Sequence, residues 1–207
     1  MLSMWKLWFA LGLALFGYLM GSIPFSVWVT RLFTGKDVRD AGSGHATATN
    51  TIRQTGWFAG IIVFVLDIAK GFLPTYLAAM QGDIIWAVPL TAASAVAGHI
   101  WPIWAGFRGG MGLATTGGTL LAVFPIGAIG GVGLLIALVL TIRHGARATF
   151  IGTFLFAPLM WLLGAELIVV GQVLIISLVL AVRFLSDWNR QYRELWLDRE
   201  KEEASTK

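Results

Sequence analysis

Apolar runs of membrane-spanning length, parted by short basic or glycine-rich loops, leave this chain few ways to fold. A bilayer helix needs about 20 apolar residues. Backbone in hydrocarbon must pair internally, which admits only helices and closed barrels. Residues 2–33 supply one span with room to spare, and residues 57–80 and 84–105 supply two more, parted by Gln81, Gly82 and Asp83. The run 112–142 is too long for one ordinary helix and short for two. Arg108 lies at one end of it, Arg143 and Arg147 at the other. If basic loops stay in the cytoplasm, the run crosses an even number of times, turning near Pro125 and Gly127. The same reasoning divides residues 149–182 near Leu163-Gly164-Ala165-Glu166, because Arg183 and the tail are basic again.

The expected fold is therefore an all-α polytopic membrane protein of about seven transmembrane helices, with the N-terminus outside and the C-terminus cytoplasmic. Arg31, Lys36, Arg39, Arg53, Arg108, Arg143, Arg147 and Arg183 then share one side, and Asp83 and Glu166 the other. Trp5, Trp8, Trp86 and Trp161 mark the outer interface, and Trp57, Trp101 and Trp104 the inner one. A count of five follows if the short pairs are re-entrant. Residues 1–185 form a single transmembrane domain, and 186–207 a charged cytoplasmic tail. Trp188, Tyr192 and Leu195 recur there at helical spacing, which fits an amphipathic helix on the inner surface; a solvated terminus is the alternative. The first apolar run is too long for a signal-peptide core and lacks a basic n-region, so it is expected to be retained.

Composition agrees. With 57% hydrophobic and 13% charged residues, the chain has too little polar surface for a soluble domain. The net charge of +4 sits in the loops, where membrane topology explains it better than nucleic acid does. Cysteine is absent, which excludes disulfides, thiolate metal sites and a thiol nucleophile. Neither a zinc-protease nor a Walker nor a nucleophile-elbow motif is present.

Polar chemistry gathers on the basic side. Residues 37–56 are rich in Gly, Ser, Thr, Asn and Arg, so backbone N–H groups and the hydroxyls of Ser43, Thr47 and Thr49 can donate to phosphate oxygens. Arg39 and Arg53 can add bidentate charge. A solvated linker is the alternative for this segment alone. Asp67 and Lys70 fall within a span, where ionisable groups are unfavourable and usually functional, and their spacing lets them pair. His99 sits near the inner end of its span. Phe107-Arg108-Gly109-Gly110-Met111-Gly112 opens the next helix, a favourable place for an anion. The four features converge on a small phosphorylated ligand bound where cytoplasm meets lipid.

At this point the chain resembles the bacterial acyl-phosphate-dependent glycerol-3-phosphate acyltransferases. Gly21-Ser22-Ile23-Pro24-Phe25 is similar to the family's GSIPF, and residues 37–50 to its D-[IV]-R-x-x-G-S-G-N-x-G-A-T-N. Asp67-x-x-Lys70-Gly71, Gly98-His99-x-Trp101-Pro102 and residues 107–115 resemble DxxKG, GHxFP and FKGGKGVAT. The resemblance implies a seven-helix enzyme of the bacterial inner membrane, without metal or cofactor, with its active site on the cytoplasmic side. It would move a fatty acyl group from acyl phosphate to glycerol 3-phosphate by direct attack, giving lysophosphatidic acid and phosphate. Ser43, Arg53 and His99 would be its catalytic residues. Gly42, Gly44, His45, Thr49, Asn50, Lys70, Arg108, Gly109, Gly110, Thr115 and Asn189 would bind substrate or phosphate. Partners would be the two substrates and membrane lipid, with no nucleic acid, and the chain would be a monomer.

Several positions depart from the family pattern. The asparagine of GSGN is His45 and the next glycine is Thr47. The second lysine of FKGGKG is Met111, the serines of RYVSLAS are Ala146 and Thr149, and the histidine of RHxxN is Ser186. These changes keep open a relative that binds phosphorylated lipid or acceptor without turnover. A small transporter is the third reading, supported by Asp67 and Lys70 but not by any internal repeat.

Overall fold

The computed structural model describes residues 4–189, and these form helices and turns with no strand among them. The first apolar run is two helices rather than one, α1 (Met4–Gly21) and α2 (Phe25–Thr34). Proline lacks an N–H and clashes with the preceding turn, so the helix stops before Pro24 and restarts after it. α2 ends where Gly35 takes the left-handed conformation and donates its N–H to Arg31 O.

The polar segment contains a 3₁₀ turn, Val38–Asp40, and the short α3 (Ala48–Thr55). Then come α4 (Trp57–Ala79), α5 (Ala87–Ile100), α6 (Leu113–Val123), α7 (Pro125–Ile142), α8 (Gly145–Leu162) and α9 (Leu167–Leu185). Both expected breaks are present. Phe124 parts α6 from α7, with Pro125 in the first turn of α7, where its missing N–H costs nothing. Leu163 and Gly164 part α8 from α9, Gly164 having φ 83°. By length and composition, five segments can cross a membrane: Met4–Thr34, α4, α7, α8 and α9. At 1.5 Å per residue α5 and α6 reach only about 21 and 16 Å.

α5 is nonetheless the centre of the bundle. It packs against α1, α4, α6 and α9, and nearly all its residues are buried. Small residues allow this, because apolar lipid gives helices no hydrophobic drive to associate and contact depends on close fit. A methyl group on Gly21 would strike Ala95 O, and one on Gly98 would strike Tyr18 O. Large apolar side chains face outward instead, among them Trp57, Phe58 and Ile61 on α4 and Ile129, Ile136 and Leu140 on α7. That is the surface expected against lipid.

The two ends differ. Lys6 Nζ donates to Asp83 O at 3.4 Å, which places the start of α1 beside the turn before α5. At the opposite end the basic loops meet. Arg39 Nη1 donates to Ala105 O at 2.6 Å, and Arg147 Nε to Trp188 O at 3.3 Å. Tyr192 and Leu195, on which the expected tail helix rests, lie outside the described residues.

Gly21→Leu is expected to destabilise the bundle by about 1–3 kcal/mol through overpacking. Gly12→Leu is the control, since nothing lies within 4 Å of a methyl there. Thermal unfolding in detergent should show a lower midpoint for the first variant and little change for the second.

Candidate active site

The loop of residues 37–47 owes its shape to Asn50, a residue with no exposure at all. From α3 its Nδ2 donates to Val38 O (2.7 Å), Ala41 O (3.1 Å) and His45 O (3.1 Å), while Oδ1 accepts from Ser43 N (3.1 Å). Gly42 has φ 62° and Gly44 φ 69°, a left-handed region that favours glycine. Thr47, which replaces a family glycine, caps α3 by accepting from Asn50 N at 3.2 Å. Asn50 therefore orders the loop that presents Ser43, His45 and Thr49. Ser43 is buried and Thr49 exposed on the first turn of α3, with Arg53 half-buried in its last.

Asp37 and Arg39 tie this loop to the next. Asp37 Oδ1 accepts from Arg39 N (3.0 Å) and Nε (2.9 Å), and Oδ2 accepts from Arg39 Nη2 (2.8 Å) and Arg31 Nη2 (2.7 Å). These side-chain bonds from Arg39, with the charges of Arg39 and Arg31, outweigh burial and hold the Asp37 carboxyl down to about 2. Arg39 Nη1 also reaches Ala105 O and Arg108 O.

The second loop packs against the end of α5. Gly109 N donates to Ile100 O and Gly110 N to His99 O, both at 3.1 Å, and Gly109 O accepts from Ala46 N at 3.2 Å. Side chains at these glycines would collide with His99 O and with His99 Nε2. The pair thus brings the two loops together, and its N–H groups are engaged by α5. No side chain caps α6, so the N–H groups of its first turn remain as donors there. Arg108 is exposed at the loop's edge. Thr115 is buried where α6 crosses Gly71 of α4.

Beneath the loops lies the expected ion pair. Lys70 Nζ is 2.9 Å from Asp67 Oδ1 and donates to Ile23 O at 3.0 Å, and His99 Nδ1 is 3.6 Å from the same carboxylate oxygen. All three side chains are almost fully buried. Lys70 and His99 therefore buttress the site from below and tie it to the break between α1 and α2.

A cluster that sequence reasoning missed closes the other side. Arg183 from α9 meets His45, and His45 meets Asp187 in the turn after α9. In the sequence Arg183 is only a topology signal, since a basic residue ending a span looks the same either way. Asn189 is exposed at the end of this turn, which Trp188 anchors by stacking edge-on against Phe150 and under Arg147. Two departures from the family pattern fall together elsewhere. Met111 and Ala146 both pack into the apolar cluster of α5 and α9 around Val96, Ile100 and Leu180.

Two cavities adjoin these groups. A cationic one of about 380 Å³ is lined by His45, Arg108, Arg183, Ile100 and Ser186. An apolar one of about 530 Å³ lies among α4, α6, α7 and α8, lined by Phe64, Leu113, Leu134, Phe156 and Leu180. A methyl group on Gly112 would press on Ile100 from the first and on Leu180 from the second. A cationic cavity and a larger apolar one thus share the wall formed by α9.

Comparison with known proteins agrees with this architecture. Residues 11–194 match the glycerol-3-phosphate acyltransferase family model, and the chain belongs to that family. The glycerol-3-phosphate acyltransferase 1 of Dehalococcoides mccartyi is 34% identical over 187 residues, covering 87% of this chain and 89% of that one. The Aquifex aeolicus glycerol-3-phosphate acyltransferase is 34% identical over 182 residues, covering 87% and 94%. Among solved structures, PlsY (YgiH), an integral membrane glycerol 3-phosphate acyltransferase, in its glycerol 3-phosphate form superposes with a TM-score of 0.76. It is 33% identical, over 87% of this chain and 90% of that one. The resemblance read from the ordered motifs is borne out.

Two outcomes test the loop geometry. Asn50→Ala leaves the Ser43 N–H without its partner, at about 1–3 kcal/mol for an unpaired buried group, and leaves Val38 O, Ala41 O and His45 O to Gln54 Nε2, Gly44 N and Thr47 N; it should lower the unfolding midpoint more than Thr49→Ala does. Because the Asp37 carboxyl falls from its usual 3.8 to about 2 on folding, its stabilisation is complete above that usual value. It drains away as pH falls toward the folded one. Asp37→Asn should therefore flatten the loss of stability across that acid window in pH-dependent melts.

Proposed function

We propose that this chain transfers a fatty acyl group from acyl phosphate to glycerol 3-phosphate, releasing lysophosphatidic acid and phosphate. The observation that carries the reading is the pairing of a cationic cavity with an apolar one, both walled by α9, through Arg183 in the first and Leu180 in the second. One substrate joins an acyl chain to an anionic head and the other is a small phosphate. A site with both halves side by side holds the acyl carbonyl at their boundary. Family membership supports the same chemistry, and a related PlsY structure is a lysophosphatidic acid form.

In this reading the acyl chain lies in the cavity walled by Phe64, Leu134 and Phe156. Phosphate is held by Arg53, Arg108, the Gly42 N–H and the hydroxyls of Ser43 and Thr49, with Gly44 shaping the cavity wall. Asn189 borders the same side. Acyl phosphate is already activated, so the acceptor hydroxyl attacks directly and no acyl-enzyme is needed. Cations and hydroxyls fixed by the fold stabilise the developing oxyanion without reorganising during the step. Positioning of both reactants contributes further. Asn50, Thr115 and Lys70 act by holding the loops and helices in place, and His99 by supporting Gly110. The departures at Met111 and Ala146 leave the cationic cavity intact, because those side chains pack into the apolar cluster instead.

The topology that fits is seven crossings, with the N-terminus outside and the polar loops in the cytoplasm of a bacterial inner membrane. α5 and α6 are short crossings enclosed by neighbours rather than lipid-facing spans. The chain would work as a monomer, since both cavities are completed by its own residues.

Purified chain given acyl phosphate and labelled glycerol 3-phosphate should form lysophosphatidic acid. Arg53→Ala should reduce kcat/KM by about 10²-fold or more, as loss of a charge-assisted contact to phosphate implies. Intact substrate binding without product from the unaltered chain would instead favour the non-catalytic relative.

A further inference from the structure

A second cationic cavity, of about 420 Å³, lies between α2 and the loop after α5. Arg31 from α2, Arg39 from the first loop and Arg108 from the second line it, together with Val27, Trp28 and Trp104. No carboxylate lines it among the described residues. Arg108 borders both this cavity and the one around His45 and Arg183, but their other walls differ.

The three arginines are not equally engaged. Arg39 directs Nε and Nη2 to Asp37, and Nη1 to Ala105 O and Arg108 O. Arg31 gives Asp37 one bond, from Nη2 at 2.7 Å, and its side chain stays 56% exposed. The Arg108 side chain is exposed and makes no hydrogen bond or ion pair among the described residues. A guanidinium carries five N–H donors. Arg39 is therefore a structural tie, whereas Arg31 and Arg108 keep donors for an anion.

The rim of this cavity is apolar. α2 is built inside out, with Ser26 and Thr30 buried and Trp28, Leu32 and Phe33 exposed. Across the cavity Ile103, Trp104 and Phe107 are exposed too, and Trp104 Nε1 donates to Leu19 O at the end of α1, at 3.3 Å. Such a surface meets lipid, and tryptophan beside arginine marks the level of the headgroups. A soluble anion gains nothing from this rim. An amphiphile gains from both parts, because its phosphate meets the arginines while its glycerol and chains meet the indoles.

We propose that this cavity binds the headgroup phosphate of an anionic phospholipid, taken from the leaflet that meets the basic end of the bundle. Arg31 and Arg108 hold the phosphate oxygens by charge-assisted hydrogen bonds, and Trp28 and Trp104 lie against the ester region. Basic pockets between membrane helices recognise anionic lipid in this way. The lipid is a bound partner and not a reactant, so the inference goes beyond the acyltransfer reading and does not rest on it. Its phosphate ties α2 to the loop after α5, a link that Arg39 makes from the first loop.

The test titrates the full chain, in a neutral detergent, with dihexanoyl phosphatidylglycerol. Bound lipid is counted by native mass spectrometry and the thermal midpoint is read alongside. Dihexanoyl phosphatidylcholine supplies the same chains without net charge, and inorganic phosphate supplies charge without chains. Phosphatidylglycerol should bind more tightly than phosphatidylcholine and raise the midpoint. Arg31→Gln should weaken its binding about fivefold, as loss of one cation near a lipid surface implies, and Trp28→Ala should weaken it as well. Lys36→Gln should change it little, because Lys36 follows the same helix but does not line the cavity. Equal losses in Arg31→Gln and Lys36→Gln would reveal diffuse surface charge and overturn the proposal. Phosphatidylcholine bound as tightly as phosphatidylglycerol overturns it too. So does inorganic phosphate that binds as tightly and loses as much in Arg31→Gln, since the occupant would then be a soluble anion. If thermal melts show that Arg31→Gln does not fold, unaltered phosphatidylglycerol binding in Trp28→Ala overturns the proposal alone. None of these measurements involves turnover, so failure of acyltransfer and failure of lipid binding are told apart.

Discussion

Irregular backbone at or near a bilayer needs a partner for every N–H and C=O, and in this chain three side chains supply many of them. Lys70 reaches Ile23 O where Pro24 interrupts the first span. Asn50 gathers three carbonyls and one N–H of the polar loop. Arg39 bridges that loop to the carbonyls of Ala105 and Arg108. Without these bonds the chain could leave the helical state only in water. With them, two glycine-rich loops are held in fixed shapes against the ends of the helices, where a lipid head and a soluble phosphate can meet.

The same requirement ties the site's loops to the helix ends. Gly109 and Gly110 replace side chains with close backbone contacts to His99 and Ile100, so the second loop is an extension of α5. α5 in turn is held by α1 through Gly21 and Gly98. The Asp67–Lys70 pair adds charge beneath the loops, but its desolvation makes it weak evidence for stability by itself. Its geometric effect is clearer. It links α4, the α1–α2 break and His99, and so sets the floor on which both loops rest.

The positions that depart from the family pattern are not scattered. Met111 and Ala146 replace polar family residues, and both side chains enter one apolar cluster, so the exchange is consistent within a single packing environment. His45 replaces asparagine and acquires Asp187 and Arg183 as partners. The polar wall of the cavity is thus assembled from a different set of side chains in a fold that still superposes on a relative at one-third identity.

Much of the architecture was legible in the linear chain, since hydrocarbon length, positive loops and proline positions act locally. The breaks at Pro125 and Gly164, the ion pair three residues apart on one helix and the convergence of the glycine-rich motifs could all be read that way. The break at Pro24 was also written there but was masked by the unbroken apolar composition around it. What the sequence could not show was which polar groups face a cavity and which hold backbone. Asn50 and Thr49 are neighbours of similar polarity, yet one is buried within the loop and the other is exposed. Nor could it show that Arg183 and Asp187 close on His45, because that contact joins segments 138 and 142 residues apart. Hydrophobic length and charge determine which segments enter the membrane. Only tertiary packing decides the partners of each polar side chain, because those partners come from loops that the helices bring together.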